Sequence, residues 1–392
     1  MTDAAPVASS PQASGAPAFR PVSWARALPF WMTVLTVPVA FLGAWAGGWT
    51  VFLLPLLTWG LFDLLDLVVG LDEGNADPDT PEARLGWYRA VTLLWWPLQA
   101  LMVFGLVWWL PRSDLALWEK LQLMLGVGIV AGAVGIVYAH ELLHQRNRVE
   151  RWLGDLLLAQ VLYSHFRSEH LRVHHLHVGT PRDTVSARYG EGFHRFLLRV
   201  LRECPPSAWR AERALLARRG LSMWSPRNPF WRYGALQGGF LLLAWTSGGW
   251  EGLGLFVLQA VVAVWQLELI NYVEHYGLTR LHLGGGRYEP VRPRHSWNAA
   301  HRASNWFLIN LQRHSDHHFK PDRRYPLLQT YREDEAPQLP FGYSLMAAIA
   351  LAPPVWRRVM NPRVRAWRRR WYPEVEDWKP YNTGALPLPR GG

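Results

Sequence analysis

Residues 121–144 read LQLMLGVGIVAGAVGIVYAHELLH, an uncharged apolar run that leads directly into His140, Glu141 and His144. A run of about 18 or more apolar residues is long enough for a helix that crosses a membrane. His140 and His144 are four residues apart, so they lie on the same face of such a helix. The stretch therefore predicts a membrane-spanning helix that ends in a pair of imidazoles.

The rest of the chain repeats this apolar pattern. Half of the 392 residues are hydrophobic and only 18% are charged. The pairs Gly47-Gly48 and Gly248-Gly249 divide two of the longer runs into helical hairpins. This composition excludes an ordinary soluble enzyme and predicts an all-α bundle of six transmembrane helices. The predicted spans are residues 28–46, 49–70, 90–110, 119–139, 233–247 and 252–272.

The basic residues orient the predicted spans. All Lys and Arg residues except Arg112 and Lys120 fall in segments on one side of the bundle. Because an excess of Lys and Arg marks cytoplasmic segments, we expect both termini in the cytoplasm and the chain in the inner (plasma) membrane. The net charge of +11 would also suit a nucleic-acid-binding protein. The basic residues lie between apolar runs, and cytoplasmic placement of these segments explains them better than nucleic-acid binding does. We therefore expect no nucleic acid partner.

The ends of the chain differ from its centre. Residues 1–22 are rich in Ala, Pro and Ser and are predicted to form a disordered tail. Residues 23–375 are expected to form a single membrane-embedded domain, followed by a flexible C-terminal tail at 376–392. The single cysteine, Cys204, excludes a disulfide scaffold, a cysteine-based zinc site and a built-in iron–sulfur domain.

The histidines point to a metal site. None of the 15 histidines precedes His140, and nine of them form clusters. Helical spacing predicts shared faces for His140 with His144, His170 with His174, and His314 with His317 and His318. Neutral imidazole binds iron, copper and zinc, and a metal supplies the partner that nine crowded imidazoles need. The predicted metal ligands are His140, His144, His170, His174, His175, His275, His314, His317 and His318.

Two other metal-dependent functions stay open from these residues. HELLH at 140–144 fits the H-E-x-x-H pattern of zinc proteases, in which two His bind zinc and the Glu acts as base. That reading leaves at least six of the clustered histidines without a role. A metal carrier would be expected to place its ligands along a path across the bilayer, whereas these clusters gather on one side. A dinuclear metal site uses all of them.

Several motifs together resemble a known family. The most specific are NYVEHYGL at 271–278 and LQRHSDHH at 311–318. Supporting matches are TPRD at 180–183, GRYE at 286–289, HSWN at 295–298 and RRY at 323–325. In this order and around six spans, they resemble the integral-membrane alkane 1-monooxygenases, within the membrane fatty-acid desaturase and hydroxylase superfamily. The resemblance covers the chain from near residue 30 to near residue 370.

This resemblance implies a histidine-rich cytoplasmic cap that holds two non-haem iron ions. It implies a monooxygenase that uses O₂ and two external electrons to hydroxylate the terminal methyl group of a linear alkane or similar apolar substrate. No catalytic residue is expected beyond the metal site, and contact with membrane lipid is expected. A related desaturase, a xylene-monooxygenase-type enzyme and a fatty-acyl hydroxylase stay open as alternatives.

The electrons are expected to come from another protein. The chain has no G-x-G-x-x-G motif that opens a helix after a strand, and one cysteine is too few for a fused rubredoxin. The resemblance implies rubredoxin, supplied by a rubredoxin reductase, as the donor. Arg313 and the pair Arg323-Arg324 lie next to a histidine cluster, where basic residues are expected to attract a small acidic carrier.

Polar residues beside the clusters are expected to orient the ligand imidazoles through their second ring nitrogen. Glu268 lies inside a predicted span, where a charge is costly and usually functional, and it is expected either to support a ligand or to be a ligand itself. The expected orienting residues are Glu141, Glu169, Glu268, Asn271, Glu274 and Asp316.

Three positions depart from the family pattern. Leu143 and Val173 stand where the family usually has Gly, and Gln145 stands where it usually has Lys. No ligand is lost through these changes. Since Leu143 and Val173 add bulk between ligands, we expect them to restrict the substrate pocket.

Overall fold

A computed structural model gives the fold of residues 19–383. Residues 1–18 of the predicted N-terminal tail and 384–392 of the predicted C-terminal tail lie outside the described residues. The described chain is mostly helical, as predicted. Its helices are α1 (Trp24–Ala46), α2 (Gly48–Val69), α3 (Glu82–Arg112), α4 (Leu117–His144), α5 (Arg148–Gln160), α6 (166–177), α7 (Phe193–Arg218), α8 (Pro229–His275), α9 (Arg302–Phe307), α10 (His314–Phe319), α11 (Tyr343–Ala350), α12 (Pro353–Trp371) and α13 (Lys379–Thr383). Within residues 19–383, an antiparallel pair of strands, β1 (His282–Gly284) and β2 (Arg287–Tyr288), departs from the all-α prediction.

Five helices of the described chain are long and apolar enough to cross a membrane: α1, α2, α3, α4 and α8. The first four correspond to the first four predicted spans. The fifth and sixth predicted spans both lie in α8, which is interrupted at Gly249, where φ is 62°. This left-handed conformation is one that glycine adopts easily and other residues avoid.

The aromatic contacts of α8 show that its two parts lie side by side. Phe104 of α3 stacks on Phe240 and on Phe256, and the ring centroids are 5.4 Å apart in both pairs. In a straight helix, residues 240 and 256 would be roughly 24 Å apart. The chain therefore reverses direction at Gly249.

Helix α4 packs closely on the second part of α8 through two glycines. A Cβ atom at Gly128 would lie 2.7 Å from the carbonyl oxygen of Gln259, and one at Gly132 would lie 2.7 Å from that of Ala263. Small residues four apart allow membrane helices this close approach. Because both sequence positions increase together along the contact, the two helices run parallel. Their C-terminal ends, which carry histidines, therefore lie on the same side of the bundle.

Buried polar contacts fasten the later segments to the ends of the spans. Arg324 donates to Glu150 of α5 at 2.7 Å and to Glu82 of α3 at 3.1 Å. Asp66 of α2 accepts the backbone N–H groups of Ala303 at 2.6 Å and of the following residue at 3.1 Å. Asp66 thus satisfies free donors at the start of α9, in the way that a capping residue does.

The described parts of the two predicted tails also make contacts. The side chain of Arg20 pairs with Asp72, and its backbone N–H donates to the carbonyl oxygen of Asn75 at 2.8 Å. Near the other end, Arg368 of α12 donates to Asn382 of α13 at 2.6 Å. The domain boundaries stay a prediction.

Replacing Gly132 with Val is expected to lower the free energy of unfolding by about 1–3 kcal/mol, because the added methyl groups force α4 away from α8. The matched control is Gly254→Ala in α8, where a Cβ atom would meet nothing within 4 Å. Thermal unfolding in detergent, followed by tryptophan fluorescence, measures the difference. Equal melting temperatures for the two variants would contradict the close packing.

Candidate metal centre

All nine clustered imidazoles converge at the end of the bundle where α4 and α8 terminate. They come from these two helices, from α6 and from α10. They form two groups, and within each group the candidate ligand atoms all lie within 4.8 Å of one another. The first group is His140, His144, His170, His175 and His317, and the second group is His174, His275, His314 and His318.

Three imidazoles of the first group contact one another directly. The Nε2 atom of His170 lies 3.0 Å from that of His144 and 2.9 Å from that of His175, and the latter two are 3.1 Å apart. Each ring nitrogen of a neutral imidazole is either a hydrogen-bond donor or an acceptor. Among three nitrogens in mutual contact, at least two must therefore be both donors or both acceptors. Such a pair repels at this distance. Three lone pairs directed at one cation remove the conflict.

The second group forms a chain of similar contacts. His318 links His174, at 3.2 Å between Nε2 atoms, to His314, at 3.0 Å. His314 in turn lies 3.2 Å from His275. All four side chains are buried. The second group therefore presents four ring nitrogens to one enclosed point.

Both groups fit a first-row transition metal. Two nitrogen ligands at about 2.1 Å from a metal and at right angles are about 3.0 Å apart, which matches the nitrogen separations observed here. A site made of imidazoles without thiolates suits iron, copper or zinc. Each group can therefore hold a metal ion.

Five imidazoles of α6 and α10 have pKa values that favour the metal-binding protonation state. Burial lowers the pKa values of His170, His175, His314, His317 and His318 well below the usual range, and neighbouring imidazoles lower them further. These five side chains are therefore neutral near pH 7, with a free lone pair.

The division within α6 differs from the prediction made from helical spacing. His170 and His174 are four residues apart, yet they belong to different groups, and His170 joins His175 instead. The segment His170–His174 is a π-helix, in which each turn is wider than in an α-helix. Residues five apart therefore share a face here. π-Helical turns often occur at functional sites.

Helix α10 divides its ligands between the groups as well. His314 and His318 share the second group, as their spacing of four predicts, whereas His317 belongs to the first. The prediction that all three point to one place is wrong, because neighbouring positions on a helix project in different directions.

Two carboxylates contact the second ring nitrogen of ligands in the second group. The Nδ1 atom of His174 lies 3.0 Å from Asp183, and that of His314 lies 3.3 Å from Glu274. The hydroxyl of Ser186 donates to Asp183 at 2.6 Å and holds the carboxylate in place. Burial alone would lower the pKa of His174, but Asp183 outweighs this effect and raises it.

Glu274 is among the predicted orienting residues, whereas Asp183 is not. Asp183 is nine positions from His174 in sequence and lies in a turn, so helical spacing gives no indication of the contact. The available signal was the TPRD motif at 180–183, which contains Asp183.

The other predicted orienting residues form polar contacts beside the ligands. Glu268 accepts from the hydroxyl of Tyr163 at 2.9 Å and from the amide of Asn271 at 3.1 Å. Glu169 accepts from Thr184 at 3.0 Å, and burial raises its pKa. These contacts connect α8 and α6 to the neighbouring loops.

Glu141 and Asp316 have comparable positions in α4 and α10. Glu141 accepts a hydrogen bond from the side-chain amide of Gln145 at 3.1 Å. The Gln that stands in place of the family's usual Lys therefore contacts this carboxylate. Asp316 accepts from Arg323 at 2.5 Å and from Tyr331 at 2.7 Å. The carboxylate of Asp316 thereby anchors the loop that follows the ligands of α10.

Two of the supporting motifs meet in one buried network. Tyr372, directly after α12, donates to Glu289 and lies 2.8 Å from Nε2 of His295. Arg294 also donates to Glu289, at 2.6 Å. Although burial alone would raise the pKa of Glu289, its contacts with His295 and Tyr372 lower it to about 2. This network fastens the end of α12 to the loop after β2.

A small, mostly apolar cavity lies beside both groups of imidazoles. Apolar side chains of α4 and α8 make up much of its lining. The lining residues include Gly132, Ala133, Ile136, Val137, Leu267 and Ile270, together with His140, His170, Asn271, Glu274 and His314. His140 and His170 belong to the first group and His314 to the second. An occupant of this cavity would therefore meet both groups.

The two predicted pocket residues lie elsewhere. Leu143 packs against α5, where a Cβ atom at Gly154 would lie 3.0 Å from its Cγ. Val173 is buried within the π-helical segment of α6. Leu143 can therefore change the preferred substrate size only by changing how α4 packs against α5.

Comparisons with known proteins agree with this site. Residues 115–350 match the fatty acid desaturase family. Alkane 1-monooxygenase 2 of Pseudomonas aeruginosa is 42% identical over 86% of this chain and 90% of its own length. Alkane 1-monooxygenase 1 of the same organism is 40% identical, over 88% and 89%. Alkane 1-monooxygenase 2 of Alcanivorax borkumensis is 39% identical, over 87% and 90%. This chain belongs to the alkane 1-monooxygenase family.

The resemblance stated from the motifs is thereby confirmed. The hydroxylase component of a xylene/toluene monooxygenase from Pseudomonas putida is less similar to this member of the alkane 1-monooxygenases, at 26% identity over 88% of the chain and 90% of its own length. Membership of this family favours a monooxygenase over a zinc protease or a metal carrier.

The arginines expected to attract a carrier do not form an exposed basic surface in this alkane 1-monooxygenase family member. Arg313 is buried and donates to the carbonyl oxygens of Leu328 at 2.7 Å and Gly74 at 3.1 Å. Arg324 is buried in ion pairs with glutamates of α3 and α5, and Arg323 pairs with an aspartate. These guanidinium groups stabilise the loops around the site instead.

Replacing His170 or His275 with Ala is expected to remove much of the bound metal, because each removes a nitrogen from a different group. His194→Ala is the control, since this histidine is exposed and lies 3.2 Å from the carbonyl oxygen of Leu351. Elemental analysis of protein purified in detergent measures the metal. Full metal content in both cluster variants would contradict the assignment.

The substitution Asp183→Asn is expected to weaken metal retention about 10–100-fold while all nine imidazoles stay, because loss of such an orienting carboxylate frees the ligand. The exposed Asp322→Asn serves as control. Loss of metal during titration with a chelator is the measurement. Identical chelator curves for the two variants would mean that Asp183 does not support the site.

Proposed function

We propose that this chain is a non-haem di-iron membrane monooxygenase that hydroxylates the terminal methyl group of a linear alkane. Its membership of the alkane 1-monooxygenases makes it an oxidoreductase with a metal centre and a lipophilic substrate. The observation that carries the proposal is the mostly apolar cavity between α4 and α8, because its lining includes imidazoles of both groups.

The residues of the chain bind and orient the substrate in this proposal. An alkane offers no group for hydrogen bonding, so its binding depends on apolar contact and on exclusion of water. Ile136, Leu267 and Ile270 are apolar lining residues that a linear chain would contact. One end of that chain then faces His140 and His314, and this orientation selects the terminal carbon.

Two iron ions, one in each group, supply the redox chemistry that activates O₂ when they are bound, since an inert C–H bond is beyond acid–base catalysis. The proposed ligands are the five imidazoles of the first group and the four of the second. Asp183 holds the imidazole of His174 in a fixed orientation through its hydrogen bond with Nδ1, and Glu274 lies 3.3 Å from Nδ1 of His314.

The overall reaction requires electrons from outside. One oxygen atom of O₂ enters the C–H bond, and the other leaves as water after uptake of two electrons and two protons. The chain has a single cysteine and thus no iron–sulfur domain of its own. We take rubredoxin, reduced by a rubredoxin reductase, as the donor of these electrons.

The proposed topology has six spans in the inner membrane and both termini in the cytoplasm. The reversal of α8 at Gly249 supports six crossings rather than five. The parallel arrangement of α4 and the second part of α8 supports a metal site on one side. The basic loops support a cytoplasmic position for that side.

Replacing Leu267 with Ala is expected to shift the preferred substrate toward longer or bulkier molecules, because it widens the cavity wall. Leu242→Ala, at an exposed position of the same helix, is the matched control. Cells that express each variant are fed alkanes, toluene or fatty acids, and products are identified by gas chromatography.

The products separate the proposed function from its alternatives. Primary alcohols from alkanes support it. Benzyl alcohol alone would favour a xylene-monooxygenase-type enzyme, and unsaturated or hydroxylated fatty acids alone would favour a desaturase or fatty-acyl hydroxylase. If Leu267→Ala and Leu242→Ala have the same substrate profile, the cavity is not the binding site.

A further inference from the structure

An open cavity lies near the starts of α1, α3 and α9, apart from the metal centre. Its volume is about 500 Å³, within the range of roughly 300–1,000 Å³ that small-molecule sites have. Residues of α1 form one wall, and residues of α3, α9 and the loop after α2 form much of the rest. Its lining shares no residue with the two groups of imidazoles or with the apolar cavity beside them. This cavity is therefore a separate candidate site.

Positive charge dominates the lining of this cavity. The arginines that line it are Arg20, Arg26, Arg302 and Arg313, and the one carboxylate among the lining residues is Asp72. Asp72 pairs with Arg20 and lies 3.6 Å from the guanidinium group of Arg313. Within residues 19–383, no carboxylate lies within 4 Å of the guanidinium nitrogens of Arg26 or Arg302. The lining therefore has more positive charge than its own carboxylate neutralises.

A buried hydrogen-bond donor of the lining also lacks a partner. Arg313 is 4% exposed, and its two terminal nitrogens donate to the carbonyl oxygens of Leu328 at 2.7 Å and Gly74 at 3.1 Å. Its Nε atom is buried and has no hydrogen-bond partner among the described residues. Buried donors without a partner are rare and costly. An anionic oxygen bound in the cavity would supply a partner for this donor.

Exposed tryptophans beside the cavity indicate the level of the lipid headgroups. Trp24, in the first turn of α1, is 62% exposed, and Trp87, near the start of α3, is 57% exposed. Trp side chains concentrate where a span meets the aqueous phase. Arg26 follows Trp24 by two positions, and Arg313 directly precedes the ligand His314. The cavity therefore lies at one surface of the membrane, on the same side as the metal centre.

We propose that this cavity binds a phosphate group, either in the headgroup of an anionic phospholipid or as free phosphate. A phosphate accepts hydrogen bonds through several anionic oxygens, often two from a single guanidinium group. Arg26 and Arg302 supply guanidinium groups without a carboxylate partner, and Arg313 supplies a buried donor. The N-terminal end of α1, where the helix dipole favours an anion, lies at the same cavity. The proposal is independent of the proposed reaction, because no candidate metal ligand lines the cavity.

The apolar part of the lining favours the phospholipid as the source of the phosphate. Val22, Pro29 and Trp306 also line the cavity. These side chains would contact the glycerol and the upper acyl chains of a phospholipid, whereas free phosphate has no apolar part. Basic pockets between spans on the cytoplasmic side of a membrane suit anionic headgroups. We therefore expect the phospholipid to bind more tightly than free phosphate.

The test compares Arg26→Gln and Arg302→Gln with the matched control Arg219→Gln in the full-length protein in detergent. Each substitution removes one positive charge, and Arg219 is exposed at the end of α7. The probes are phosphatidylglycerol and inorganic phosphate, with phosphatidylcholine as a zwitterionic comparison. Native mass spectrometry counts the bound lipid. The rise in melting temperature with the concentration of each probe gives its apparent Kd.

The wild-type protein and Arg219→Gln are expected to bind phosphatidylglycerol equally well. Arg26→Gln and Arg302→Gln are each expected to raise the apparent Kd about tenfold, because each removes a hydrogen bond to a charged group. Arg302 also donates to the carbonyl oxygen of Leu71 at 2.8 Å, so its replacement can change the fold locally. The side chain of Arg26 forms no hydrogen bond or ion pair within the described chain. Arg26→Gln therefore decides the test if Arg302→Gln does not fold.

The probes separate the two sources of phosphate. An effect of Arg26→Gln on phosphatidylglycerol but not on phosphatidylcholine supports an anionic headgroup. An effect on inorganic phosphate alone supports free phosphate, provided that chloride at the same ionic strength does not reproduce it. Equal apparent Kd values of Arg26→Gln and Arg219→Gln for both phosphatidylglycerol and phosphate would overturn the site. Stabilisation of the wild-type protein by chloride and by phosphate to the same extent, without a specific lipid effect, would also overturn it.

Discussion

The crowding of nine neutral imidazoles is the constraint on which the rest of the structure depends. His144, His170 and His175 all contact one another through Nε2, and three such nitrogens cannot all pair as donor and acceptor. Metal cations relieve this conflict. Because the ligands come from α4, α6, α8 and α10, bound metal also links four helices that the chain connects only through long segments.

The close contact of α4 with α8 sets the geometry of the site. Gly128 and Gly132 let the two backbones approach, and the parallel direction brings His140 and His275 to the same side. The same pair of helices supplies the walls of the apolar cavity. Helix packing therefore decides both where the ligands meet and how an apolar molecule can reach them.

The first group of imidazoles borders both the apolar cavity and solvent. The cavity meets His140 and His170, whereas the solvent-exposed edge is formed by His144 and His175. The second group is buried, its His174 is hydrogen-bonded to Asp183, and its His314 borders the cavity.

The sequence by itself determined the helical membrane architecture, the nine clustered histidines and the family, because these depend on composition and local spacing. Only the tertiary structure decided how the ligands divide into five and four, since the π-helix at His170–His174 changes which residues share a face. It also assigned Asp183 to His174 and buried Arg313 and Arg324, which the linear pattern placed on the surface. Such contacts join residues distant in sequence, and local periodicity carries no information about them.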